Sequence, residues 1–390
     1  MKYWVFTFGC QMNKSDSERI VSLLEGIGYK PASKTKEADL IVVNMCSVRQ
    51  SAVDRIFGLA PKFEKLKKER PKLKTILTGC ILKEDQKKFS RFFDLILKIK
   101  ELPYWPQFLE KKKSSLEKKH CQYFKIQPKR AQKDLAFVPI SNGCNNFCSY
   151  CVVPFTRGKL ICRSYQEILR EVKEAVSSGA KEIWLLGQNV NDYECKNQKA
   201  KGKNIEKYKG VGIKYKGVSI KYKAKLRAES EIINFAKLVK MVEGVSGNFK
   251  FFFTSPHPKN FSDELIEVLA ECKKFGKLLN LPVQSGDNQI LKKMNRNYTV
   301  QEYKNLVKKI REKIPDIKLS TDVIVGFPGE TKKQFENTVK LFKEIKFDQA
   351  YIAKYSLRPG TLAFKTMEDN VPLIEKRKRE KILREILKSN

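Results

Sequence analysis

The stretch Gly143-Cys144-Asn145-Asn146-Phe147-Cys148-Ser149-Tyr150-Cys151 holds three cysteines in eight residues, spaced C-x-x-x-C-x-x-C. Three thiols cannot all pair with one another as disulfides, but they can converge on one metal centre. A four-iron cluster normally takes four cysteines, so three leave one iron open to a substrate or cofactor. A structural zinc site wants a fourth ligand close by. No histidine lies near, and the next cysteine is Cys162. The stretch therefore predicts an open-iron cluster.

The surrounding pattern sets the fold. Leu135-Ala136-Phe137-Val138-Pro139-Ile140 is an apolar run that reads as a strand leading straight into the cysteines. Downstream, helix and strand periods alternate. Helices are predicted at 164–178, near 229–243, and at 262–271, 287–294, 299–313 and 331–345. Strands are predicted at 181–186, 249–253, near 278–282, 317–325 and 348–355. Six β/α units in series imply an open, partial (β/α)6 barrel of the TIM type. Such barrels carry chemistry at strand C-termini, where the cysteines fall. Residues 366–390 read as a basic amphipathic helix.

The first 118 residues alternate in the same way. Strands are predicted at 2–8, 40–44, 74–79 and 93–98, and helices at 15–27, about 50–69, 83–89 and 104–113. This predicts a parallel α/β sheet domain. Cys10, Cys46 and Cys80 each follow the end of a predicted strand. In a parallel sheet those ends share one edge, so three residues distant in sequence are expected to meet at a second cluster. The competing reading is three ordinary buried cysteines. Residues 119–134 are polar and basic and read as a linker, in which Cys121 has no evident partner.

The chain has 390 residues, 79 Lys+Arg against 43 Asp+Glu, and a formal charge of +36. That balance fits either a lysine-rich proteome or attraction to a polyanion such as nucleic acid. No apolar run approaches the ~18 residues of a membrane helix, and the start reads as a strand rather than a signal peptide. A cytoplasmic location is expected. Ten cysteines in such a chain point to metal chemistry rather than a disulfide framework. With only His120 and His257 present, a histidine-based metal site or a Ser/His/Asp triad is disfavoured. His257, after a strand-like run, lines a site or caps a loop.

Residues 196–225 interrupt the barrel pattern. The unit Lys207-Tyr208-Lys209-Gly210-Val211-Gly212-Ile213 recurs as Lys214-Tyr215-Lys216-Gly217-Val218-Ser219-Ile220 and begins again at Lys221-Tyr222-Lys223. The segment carries eleven lysines and one glutamate. It reads either as a flexible low-complexity insertion or as a basic, tyrosine-bearing loop that reaches RNA by charge and stacking.

Together these stretches resemble the radical S-adenosylmethionine (SAM) enzymes, and within them the methylthiotransferases. Cys144, Cys148 and Cys151 match the superfamily signature. Thr7-Phe8-Gly9-Cys10-Gln11-Met12-Asn13, Cys46-Ser47-Val48-Arg49 and Cys80 match the amino-terminal cluster ligands of the methylthiotransferases. Val152-Val153-Pro154-Phe155-Thr156-Arg157-Gly158, Leu281-Pro282-Val283-Gln284-Ser285-Gly286, Asp322-Val323-Ile324-Val325-Gly326-Phe327-Pro328-Gly329-Glu330 and Arg358-Pro359-Gly360-Thr361 fit as well. Leu186-Gly187-Gln188-Asn189-Val190-Asn191 resembles the branch acting on isopentenyladenosine of tRNA (MiaB). The resemblance covers nearly the whole chain outside 196–225. It implies a methylthiotransferase amino-terminal domain over 1–118 and a radical SAM domain over 135–365. The small carboxy-terminal RNA-binding barrel (TRAM) usual in the family is expected to be absent.

The resemblance also implies two 4Fe-4S clusters and SAM as cofactors. Cys144, Cys148 and Cys151 would hold the SAM-binding cluster, and Cys10, Cys46 and Cys80 an auxiliary one carrying the sulfur that is methylated and transferred. Cleavage of SAM would give a radical that takes hydrogen from carbon 2 of a modified adenosine at position 37 of tRNA. Gln188, Asn189, Gln284, Ser285 and Asp322, at strand ends, are candidates to hold SAM or the base, although such residues are often only caps. Arg157 and Arg358 are candidates for the SAM carboxylate or an RNA phosphate, with surface salt bridges the competing reading. Expected partners are tRNA, an electron donor such as a flavodoxin or ferredoxin, and a sulfur donor, with no membrane; a monomer is expected. Cys162, Cys195 and Cys272 match no ligand position. Two alternatives stay open: the same chemistry on threonylcarbamoyl-adenosine tRNA or a ribosomal-protein aspartate, and a zinc-stabilised RNA-binding protein without catalysis.

Overall fold

The computed structural model describes residues 1–48, 50–110, 122–196 and 232–389. Cys121 and nearly all of the 196–225 repeat lie outside the described residues.

The amino-terminal unit is a five-stranded parallel sheet in the order β2-β1-β3-β4-β5. Its strands are β1 (Lys2–Phe8), β2 (Lys30–Pro31), β3 (Leu40–Cys46), β4 (Lys74–Cys80) and β5 (Leu95–Ile96). The sequence of β3, Leu-Ile-Val-Val-Asn-Met-Cys, is buried along its whole length, as expected of a strand covered on both faces. Leu40 and Val42 pack with Ile20, Leu24 and Trp105 on one side, and Ile41, Val43 and Met45 with Ile56, Phe63 and Phe89 on the other. The expected strand at 93–98 shortens to two residues. The Asp94 carboxylate takes the Thr75 amide at 2.7 Å, and a 3-10 turn begins at Ile99.

The second unit places β6 (Leu135–Pro139), β9 (Glu182–Leu186) and β12 (Lys250–Phe253) side by side and parallel. It likewise aligns β13 (Leu278–Asn280), β14 (Lys318–Val325) and β15 (Gln349–Lys354). A parallel bridge between Phe251 and Phe275 joins the two halves. Six parallel strands thus run in chain order with helices between them, the partial (β/α)6 barrel the period predicted. Alternation decides the faces. Ala136, Val138 and Ile140 enter the large core under the helices, whereas Phe137 faces Met12 and Leu186. The helix Leu373–Ser389 completes this core, with Leu383 fully buried.

Two short antiparallel ribbons escaped the sequence reading because each strand has only two or three residues. One pairs β7 (Ser141–Asn142) with β8 (Ile161–Cys162) and closes the loop that carries Cys144, Cys148 and Cys151. The other pairs β10 (Glu194–Lys196) with β11 (Ile232–Asn234), so the residues flanking the repeat segment are stitched together.

Within the 119–134 stretch, Tyr123 and Phe124 are buried in the amino-terminal core. The Lys129 amide donates to the Glu18 carbonyl at 3.1 Å, which ties the stretch to the helix Gln11–Gly26, while residues 131–134 are exposed.

Candidate active site

Cys10, Cys46 and Cys80 meet at one edge of the amino-terminal sheet. Cys46 and Cys80 end adjacent strands and are direct partners in register, and the Ser47 amide donates to the Cys80 carbonyl at 2.7 Å. Cys10 is the N-cap of the helix Gln11–Gly26, which starts where β1 stops. Behind them, buried Asn13 and Asn44 tie the two turns together. The Asn13 side-chain amide donates to Asn44 Oδ1 at 3.0 Å and to the Met45 carbonyl at 3.1 Å, and Asn44 Nδ2 returns a bond to the Asn13 carbonyl at 2.8 Å. Gly79 has φ +107°, and a Cβ there would stand 2.1 Å from the Met45 carbonyl oxygen. The neighbouring Cys80 side chain draws the Cys46 thiol below its ordinary range, while Cys46, with burial, raises Cys80.

Cys144, Cys148 and Cys151 sit on a loop rather than on strand ends. Gly143 (φ +87°) has the Lys159 carbonyl oxygen 2.2 Å from where a Cβ would be, so only glycine permits this approach. The Gly143 amide donates to Gln188 Oε1 at 2.5 Å. The Cys144 amide donates to the Gly158 carbonyl at 3.2 Å, and the Ser149 amide to the Met294 carbonyl at 3.0 Å. Asn295 Nδ2 donates to the Phe147 carbonyl at 3.0 Å. Buried Arg296 bonds the Pro282 carbonyl at 2.8 Å and reaches Cys148 Sγ at 3.7 Å. The Cys151 thiol is pushed up to about 12, by burial first and then by Cys148, with Cys144 adding to it; the three sulfurs lie within one another's field.

Among the described residues, no group of three or more His, Cys, Asp or Glu is arranged for a single metal ion. A cuboidal cluster differs, because each thiolate bonds a different iron and the ligands stand farther apart. Each site offers three thiols and no imidazole, a donor set suited to iron–sulfur clusters. The residues fit such a group.

The other candidates divide. Gln188 supports the cysteine loop. Asn189 is buried, and its Nδ2 donates to Asp192 at 2.6 Å while its Oδ1 has no protein partner. Gln284 takes a positive φ of 68° beside Asp322, whose carbonyl accepts its amide at 2.8 Å. The Ser285 hydroxyl is used locally, accepting the Asp287 amide at 3.2 Å. The Arg157 guanidinium reaches from beside the SAM-type loop to the amino-terminal trio. Its Nε donates to Cys80 Sγ at 2.9 Å, its Nη1 to Asn142 Oδ1 at 3.0 Å and its Nη2 to Asp16 Oδ2 at 2.6 Å. Arg358 likewise turns to the amino-terminal unit, where Gln50 Oε1 accepts at 2.6 Å. His257 caps a 3-10 turn through Nδ1, and burial lowers it to about 3; it is a neutral capping residue. Cys162 and Cys195 belong to the two ribbons, and Cys272 caps the helix Asp263–Glu271.

The sequence reading missed the layer that joins the units. Arg19 Nη2 donates to both Glu171 carboxylate oxygens at 2.8 and 2.9 Å, and Arg163 binds the same carboxylate at 2.6 Å. Tyr123 Oη donates to Asp16 Oδ1. The Ser15 hydroxyl donates to the Phe137 carbonyl at 3.2 Å. The only available signal was a run of polar residues, Ser15-Asp16-Ser17-Glu18-Arg19, on a helix that should bury one face.

Residues 138–342 match the radical SAM superfamily, and residues 2–97 match uncharacterized protein family UPF0004. The chain is 39% identical over 383 residues to a tRNA-2-methylthio-N(6)-dimethylallyladenosine synthase of Clostridium novyi (strain NT), covering 95% of this chain and 77% of that one. It is 38% identical to the synthase of the same name from Carboxydothermus hydrogenoformans, with 95% and 79% covered. The protein so named from Syntrophomonas wolfei is 39% identical, with 97% and 80% covered. Among solved structures, the apo form of the cobalamin-dependent SAM radical enzyme OxsB superposes with a TM-score of 0.59 at 12% identity, covering all of this chain and 56% of that one. The radical SAM methyltransferase TsrM of Kitasatospora setae gives 0.56 at 13% identity, with 93% and 76% covered. At such identities these two show a shared fold.

Proposed function

Because the chain belongs to the radical SAM methylthiotransferases, we propose that it adds a methylthio group to carbon 2 of isopentenyl-modified adenosine at position 37 of tRNA. The observation that carries this reading is the pairing of two cysteine trios at one domain boundary, bridged by Arg157. One trio alone would support only generic radical SAM chemistry. The close relatives named as synthases of the methylthio nucleoside support the substrate.

Cys144, Cys148 and Cys151 would hold a 4Fe-4S cluster with one open iron, and Cys10, Cys46 and Cys80 a second. When bound, the clusters and SAM supply the radical and sulfur-transfer chemistry. The protein's own part is positioning. Gln188 and the carbonyls of Gly158 and Met294 hold the cysteine loop from three sides. In this reading Gln284, just past β13, and Asp322, within β14, bind SAM, and Asn189 has a buried acceptor to offer. The buried layer around Asp16 and Glu171 fixes one trio against the other and excludes water between the units. In the domain division we favour, 1–118 carries the auxiliary centre and 135–365 the radical chemistry.

The formal charge of +36 suits a tRNA partner. No helix among the described residues is long and apolar enough to cross a membrane, in keeping with the cytoplasmic location we propose. An electron donor such as a flavodoxin or ferredoxin and a separate sulfur donor complete the scheme. The test is mass spectrometry of tRNA nucleosides from cells lacking and regaining this protein. Loss and return of the methylthio nucleoside is expected. No methylthio change refutes the substrate, and a change confined to the threonylcarbamoyl nucleoside transfers it to the sister branch.

A further inference from the structure

Arg157 lies six residues after Cys151 in the barrel, yet its guanidinium ends in the other unit. Three acceptors share it: buried Cys80 Sγ at 2.9 Å, buried Asp16 Oδ2 at 2.6 Å and half-buried Asn142 Oδ1 at 3.0 Å. Each touches a different part of the cysteine scaffold. Cys80 ends β4, Asp16 lies on the helix that Cys10 begins, and Asn142 stands two residues before Cys144. An arginine guanidinium stays charged in a protein, and Asp16 faces this one as its ion-pair partner. Arg163, also buried, directs its charge to Glu171 and reaches no cysteine. Arg296 approaches Cys148 of the barrel trio only at 3.7 Å. The short N–H···S contact is thus a feature of the amino-terminal trio.

We infer that Arg157 is a positioning residue that sets the reduction potential of the amino-terminal centre through its bond to Cys80, while holding the two trios in register. This rests on the proposal that Cys10, Cys46 and Cys80 ligate a cluster. An N–H donated to a ligand sulfur, backed by a fixed positive charge, stabilises the more electron-rich cluster and raises its potential. Asp16 aims the guanidinium, so its loss loosens the contact without removing the charge.

The test uses the full chain carrying Cys144→Ala, Cys148→Ala and Cys151→Ala, reconstituted without oxygen using iron and sulfide so that only the amino-terminal centre loads. Midpoint potentials are read by titration followed with electron paramagnetic resonance. In this background Arg157→Gln is expected to retain about four irons and to lower the reduced-to-oxidised ratio at fixed potential at least tenfold, a downward shift of about 59 mV for one electron. Arg157→Lys restores part of the shift. Iron retained with an unchanged potential in Arg157→Gln overturns the inference. If Arg157→Gln holds no iron, Asp16→Asn, which loosens the aim of the guanidinium, carries the test, and an unshifted potential there overturns it. A background protein that binds no iron refutes the cysteine assignment instead.

Discussion

The two cysteine trios are built in opposite ways. The amino-terminal trio is assembled from three strand ends far apart in sequence, so its geometry is inherited from a whole sheet. The barrel trio is one short loop, shaped by hydrogen bonds from its amides to the Gly158 and Met294 carbonyls and the Gln188 side chain, and by the glycine at 143. The first can be displaced only by disturbing the fold. The second depends on local backbone conformation. Division of labour follows: the loop is compatible with an open iron that exchanges cofactor, and the sheet edge with a centre held in place.

The largest effect separates the trios by chemistry. Cys148→Ala should abolish both SAM cleavage and methylthio transfer. Cys46→Ala should leave SAM cleavage largely intact and stop the transfer. Chromatography of 5′-deoxyadenosine alongside tRNA nucleosides reads both. Equal loss of cleavage in the two variants breaks the comparison.

The next separates them by construction. Gly143→Ala forces a Cβ against the Lys159 carbonyl at 2.2 Å and a positive φ. It should cost the barrel centre its iron, reducing the total from roughly eight to about four per chain, while the amino-terminal centre stays loaded. Iron and sulfide analysis of the reconstituted protein checks this. Retention of all the iron would show that the loop is less constrained than its contacts indicate.

A third acts on the layer between them. Glu171 is the shared partner of Arg19 and Arg163, and all three side chains are at most 1% exposed. Glu171→Ala leaves two buried cations facing each other, at a cost of about 3–5 kcal/mol, readable as a lower denaturant midpoint. A double variant, Arg19→Met with Glu171→Leu, should recover part of it.

The difference between the trios also governs how much was legible in the sequence. The barrel motif is local, so its spacing alone announced it. The amino-terminal trio became visible only once strand ends were predicted, since Cys10, Cys46 and Cys80 share a position type rather than a spacing. Strands and helices followed their periods closely, because β3 and the barrel strands are apolar where the core requires it. Arg157 reads in sequence as a candidate for the SAM carboxylate or an RNA phosphate. Its contacts with Cys80 and Asp16 depend on how two units dock, which no local period encodes. Tyr123 was lost in a basic stretch for the same reason. Arg296 stands in Met294-Asn295-Arg296-Asn297-Tyr298, where nothing local reveals that a backbone turn points it at Cys148.

The smallest effect concerns Glu18, on the helix that carries both Cys10 and Asp16. Its carboxylate accepts the Ala131 amide at 3.1 Å through one oxygen, while the other is buried without a partner. Burial raises it to about 7, against the lowering influence of that amide, Arg19 and Arg130. A carboxyl raised in the fold above its ordinary value of 4.5 favours the folded state when protonated. Its contribution is present in full below about pH 4.5, fades as the unfolded chain ionises first, and is gone once pH passes about 7. The native protein should therefore lose ~1–3 kcal/mol relative to Glu18→Gln across that window, measured as the difference between their denaturant midpoints at pH 4.5 and pH 8. Since Glu18 lies on the docking face and touches neither trio, the iron content of both centres should stay the same. A flat difference with pH would mean that water reaches the free oxygen, and that the layer between the units is wetter than the buried pairs around Glu171 imply.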